Sequence, residues 1–94
     1  MTSPLTAKAH LDSLPMRRSP VLGNLFTTAD AAPAEVWAAV ECGREMQGRG
    51  GTPVWMLDYG DVVYYVYIGD ATAFLNRASR EQWRRFVKWA GVVE

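Results

Sequence analysis

Apolar positions recur along this 94-residue chain with two different spacings, and the spacing marks the elements. Between residues 33 and 48, Val36, Ala39, Val40, Gly43 and Met46 share one helical face, at i, i+3, i+4, i+7 and i+10. Pro33 fits the first turn of such a helix, and Glu35 complements its positive end. Gly48, Gly50 and Gly51 are expected to end it. The pattern then changes. Pro53-Val-Trp-Met-Leu57 and Val62-Val-Tyr-Tyr-Val-Tyr-Ile68 are rich in β-branched and aromatic residues and read as a β-hairpin. Asp58-Tyr59-Gly60-Asp61 between them supplies the turn. Alternation in the second strand puts Val62, Tyr64, Val66 and Ile68 on one face, taken as the face toward the helices. Val63, Tyr65 and Tyr67 then form a more exposed face.

Gly69-Asp70 is a second turn signal, and residues 71–76 after it read as a third strand in preference to a helical turn. The helical period returns at residues 80–90, where Trp83, Phe86, Val87 and Ala90 make one stripe. Ser79-Arg-Glu-Gln82 has the form of a capping box at its start, and Gly91 supplies the stop. Upstream, residues 21–29 are apolar but interrupted by Gly23-Asn24, which suits either a short edge strand or a buried loop. Residues 1–20 hold three of the five prolines and are expected to form a partly mobile arm. Within it a weak helical pattern runs from Pro4 to Leu14, with Ser3 as a candidate cap, and Pro15-Met-Arg-Arg-Ser-Pro20 breaks regular structure.

The order is helix, two or three strands, helix. This predicts a small two-layer α+β domain over residues 21–94, with a two- or three-stranded antiparallel sheet. Both helices are expected on one face of that sheet, with the other face wet. Composition agrees with a folded domain: 49% of residues are hydrophobic and 21% charged, enough apolar surface to offset the ordering entropy. Eleven aromatic residues must carry much of the core, because a single cysteine leaves no disulfide to help.

The inventory for chemistry is thin. Nucleophilic catalysis needs an activated Ser, Cys or Lys beside a base. The one histidine, His10, lies in the arm, and Cys42 lies mid-helix beside small residues. Asp58, Asp61 and Asp70 read as turn residues rather than metal ligands. Gly48-Arg-Gly-Gly51 follows a helix and precedes a strand, the reverse of a phosphate-binding loop, although Arg49 at its tip is free to touch an acidic partner. The expectation is a protein that is not an enzyme and holds no cofactor or metal. No run of apolar residues is long enough to span a membrane, and the first ten residues do not read as a secretory signal. With its lone cysteine the chain is expected to be cytoplasmic.

Charge changes the picture most. Ten basic and ten acidic side chains cancel to zero, which argues against a bulk polyanion binder. The zero is segmental, however. Residues 30–70 carry seven acidic side chains against Arg44 and Arg49, whereas residues 77–88 carry Arg77, Arg80, Arg84, Arg85 and Lys88 against Glu81. Trp89 falls next to Arg85 on the same helix, a pairing that suits interfaces. The expected partner-binding residues are therefore Arg77, Arg80, Arg84, Arg85, Lys88 and Trp89, together with Tyr65 and Tyr67 on the exposed sheet face. The function expected is a small protein–protein interaction module, a binder or inhibitor of a partner with a complementary charge. Small α+β chains of this size are common among phage and mobile-element inhibitors such as anti-CRISPR proteins; that is a prior about size and class, carried by none of these residues. The alternative is a nucleic-acid-binding or regulatory module using the same basic helix. A homodimer through an edge strand or the tyrosine face is a further expectation.

Overall fold

The computed structural model describes residues 4–19, 23–29, 33–69 and 72–93. They form three helices and one antiparallel sheet in the order α1 (Pro4–Asp12), β1 (Met16–Ser19), β2 (Gly23–Ala29), α2 (Pro33–Cys42), β3 (Arg44–Gln47), β4 (Pro53–Asp58), β5 (Val62–Gly69), β6 (Thr72–Ser79) and α3 (Arg80–Ala90). The spatial order of the strands is β1-β2-β6-β5-β4-β3. The α+β class holds, and the sheet has six strands where two or three were expected.

The extra strands come from three places. Pro15–Pro20, expected to break regular structure, contains β1, which pairs with β2 from Met16↔Ala29 onward. Residues 21–29, left open between edge strand and loop, supply β2, which lies between β1 and β6 and is not an edge. The third strand is cut from the expected helix over 33–48. Helix α2 stops at Cys42, and Arg44–Gln47 pairs with β4 from Arg44↔Met56 to Gln47↔Pro53. Gly43 permits the reversal: a Cβ there would sit 3.0 Å from the Ala39 carbonyl oxygen and 3.2 Å from the Trp55 Cβ. Met46 matched the helical face only by coincidence of spacing, and it is buried as the inward residue of a strand. The glycines after it therefore belong to a β3–β4 hairpin loop, with a 3₁₀ turn over Arg49–Gly51, and not to a helix end.

The β4–β5 hairpin formed as expected, and the strand expected over 71–76 is found as β6, Thr72–Ser79. Residues 70–71, where the Gly69-Asp70 turn was expected, lie outside the described residues, as does the Ser3 cap. Helix α3 carries the full capping box. The Gln82 N–H donates to the Ser79 hydroxyl at 3.2 Å, and the Ser79 N–H donates to the Gln82 side chain at 3.0 Å.

The helices do not share a face. Helices α1 and α2 cover one side of the sheet, where Leu11, Val36 and Ala39 pack with Leu57, Tyr64, Val66 and Leu75. Helix α3 covers the other, where Trp83 and Phe86 pack with Val54, Val63, Tyr65, Tyr67 and Ala78. A six-stranded sheet has two broad apolar faces, and a central strand buried on both sides reads as a near-continuous apolar run. Residues 62–68 are such a run. The segment 4–19, expected to belong to a loose arm, contributes Ala7 and Leu11 to the core, and Leu11 is 1% exposed.

Candidate functional site

Helix α3 exposes what its packing rejects. Trp83 and Phe86 point at the sheet, so the residues between and beyond them, Arg84, Arg85, Lys88 and Trp89, face outward. Trp89 is 52% exposed, with its ring 6.0 Å from that of Phe86. Among the described residues Arg84 and Lys88 make no ion pair or hydrogen bond. Arg85 reaches back one turn to Glu81 at 2.9 Å, an exposed i,i+4 pair that contributes little and yields easily.

The other two cations of the sequence stripe are engaged inside the molecule. Arg80 donates from Nε to the Gly60 carbonyl at 2.9 Å and pairs through its other nitrogen with Asp58. It thereby ties the start of α3 to the β4–β5 turn. The Gly60 N–H, and then Arg80, hold the Asp58 carboxyl below its usual range. Arg77 is not on the helix face at all. It stands opposite Tyr64 in the β5–β6 register, hence on the α1/α2 side of the sheet. There the Tyr64 hydroxyl donates to Asp12 in α1, Lys8 donates to Asp12 at 2.6 Å, and Arg77 acts to lower the pKa of the same tyrosine. Burial first, and then the Asp12 carboxylate, push the Tyr64 hydroxyl up to about 12.

Tyr65 and Tyr67 must be withdrawn from the partner-binding set. They are 1% and 6% exposed, because α3 lies over them. Tyr65 packs at a tilt against Phe86 at 4.2 Å and Trp83 at 5.2 Å between ring centroids. The tyrosine route to a homodimer closes with them. The outer strands β1 and β3 are four residues each and expose Arg17, Arg18, Arg44 and Glu45, features that discourage edge-to-edge pairing. At Gln47 the β3 edge is met by the chain's own tail, whose Val93 N–H donates to the Gln47 carbonyl at 3.1 Å.

One feature of this side was missed in the sequence. A cleft of about 350 Å³ opens between the β3–β4 loop and the end of α3, lined by Gly48, Arg49, Thr52, Val54, Tyr67, Phe86, Trp89 and Ala90. Its two walls touch at Gly48, where a Cβ would lie 2.9 Å from the Ala90 carbonyl oxygen. No sequence signal joins these residues, since they come from three separate stretches of the chain. A second cavity, of about 260 Å³, lies between Cys42, Arg44 and the β4–β5 turn at Asp58 and Tyr59. Cys42 is half-buried at the end of α2, one residue from the strand that replaced the expected helix. Among the described residues no three His, Cys, Asp or Glu side chains come together, and no helix is long and apolar enough to cross a membrane.

The fold thus defines a small α+β protein with a two-sided sheet and a basic, tryptophan-bearing outer helix. No known family model matches the chain, and neither a curated protein nor a solved structure is detectably similar to it.

Proposed function

We propose that the chain is a small non-enzymatic binding module that docks an acidic protein surface on the outer face of α3. The observation that carries this reading is the pairing of two unengaged cations, Arg84 and Lys88, with the half-exposed Trp89 on one helix. Trp and Arg dominate the energetic centres of protein interfaces, and unpaired surface cations steer association with an acidic partner. Arg85 joins them by exchanging an exposed contact with Glu81 for one across the interface. The lone Cys42 fits a reducing, cytoplasmic setting for this work.

Nucleic-acid binding is the weaker reading. Arg77 and Arg80 are turned to internal contacts, and the tyrosines that would stack on bases are buried. Counterion release rewards many phosphate contacts, and α3 alone offers few.

The test places a photo-crosslinking amino acid at position 81, exposed on the same face of α3, in the natural source cells. A single protein adduct that disappears in Arg84→Glu/Arg85→Glu supports the reading. A gel-shift series on DNA and RNA runs beside it. A nucleic-acid complex at low salt that the same variant abolishes, without a protein adduct, overturns it.

A further inference from the structure

We propose that the cleft between the β3–β4 loop and the end of α3 is a binding site for a small, flat aromatic carboxylate. Its volume of about 350 Å³ falls near the lower end of the range for small-molecule pockets, about 300–1,000 Å³. Three of its lining side chains are aromatic, Tyr67, Phe86 and Trp89, and Val54 and Ala90 add aliphatic surface. An aromatic body stacks on such walls with a gain beyond simple area burial.

Arg49 sets the other half of the chemistry. The Arg49 guanidinium makes no ion pair among the described residues, and Arg49 lines the cleft. A planar guanidinium matches a carboxylate with two parallel hydrogen bonds. Its charge is offset in part by the end of α3, which contributes about half an elementary negative charge, so the site stays net positive. Thr52 is the other polar side chain named, and its hydroxyl is turned back to the Arg49 carbonyl at 3.2 Å. A guanidinium beside an apolar, aromatic cleft selects an anion and rejects an amine.

This inference stands apart from partner docking, because it concerns the isolated chain and a small probe. The experiment titrates the isotopically labelled full chain with 2-naphthoate and follows backbone amide signals by NMR. Neutral 2-naphthamide serves as the comparison. Saturable shifts are expected at Gly48, Arg49, Thr52 and Ala90, with the amide binding about tenfold more weakly, as loss of one charge-assisted contact implies. Arg49→Gln should remove the preference for the carboxylate. The proposal is overturned if no saturable shift appears up to the solubility of 2-naphthoate, if the shifts lie on another face, if amide and carboxylate bind equally, or if Arg49→Gln keeps the preference.

Discussion

Tyr64 and Tyr65 are neighbours in β5, and the sheet sends them into two different cores. Tyr64 goes under α1 and α2, where its hydroxyl donates to Asp12 and meets Arg77 at the rim. Tyr65 goes under α3, into an aromatic cluster with Phe86 and Trp83. Tyr67 shares that second face and leaves its hydroxyl without a partner. The first face therefore fastens its helix with a directed polar contact as well as apolar packing. The second relies over the sheet on aromatic area, and its directed tie, from Arg80 to Gly60 and Asp58, lies at the start of α3. Ring burial is non-directional, so it tolerates an unmet hydroxyl nearby, whereas a tyrosine anchored to a carboxylate fixes where α1 must lie.

The largest expected effect is on the aromatic face. Trp83→Ala should cost about 3–5 kcal/mol in a urea unfolding series, a large part of the stability of a domain this size. A loss below about 1.5 kcal/mol would mean that α3 is not that face's anchor. On the opposite face, Leu11→Ala should cost about 2–5 kcal/mol by the same measurement. A negligible change would return residues 4–19 to the status of a dispensable arm and make the two faces unequal.

A smaller effect separates the faces by pH. The Lys8 ammonium, and then the Tyr64 hydroxyl, hold the Asp12 carboxyl below its usual 3.8. A lowered carboxyl stabilises the fold above the unfolded value and loses that contribution as pH falls through the folded one. Tyr64→Phe should cost about 1 kcal/mol at pH 7 and progressively less as the buffer is taken below pH 4, read from unfolding midpoints. A cost that stays constant into acid would show that the hydroxyl acts by shape alone. The smallest effect is Tyr67→Phe, expected within about 0.5 kcal/mol of wild type because no partner is lost. A cost above about 1 kcal/mol would reveal a partner and make the two faces alike.

Local signals were legible wherever short-range chemistry decides. The capping box at Ser79, the stop at Gly91 and the β4–β5 turn around Gly60 rest on contacts within a few residues, and all three formed. The helix over 33–48 misled because Met46 fits a helical face and a strand face equally well; pairing with β4 decided between them. The basic stripe was half legible. Spacing on one helix identified Arg84, Arg85, Lys88 and Trp89 as outward, but could not show that Arg80 turns to Asp58 or that Arg77 belongs to the opposite side of the sheet. The exposed tyrosine face came from assuming alternation in a strand whose apolar residues were continuous.

By itself the chain's order of residues determined the α+β class, the hairpin, the last helix and the outward set on that helix. Each follows from periodicity and capping, which act over distances of one or two turns. Tertiary structure alone decided the width of the sheet, the placing of helices on both its faces, the burial of Tyr65 and Tyr67, and the cleft beneath Trp89. Those outcomes depend on strand pairing between segments far apart in sequence, as when β2 pairs with β6 and sets Thr27 opposite Arg77. Pairing of that kind is settled by the total apolar surface the fold can bury, a property of the whole chain that no single segment carries.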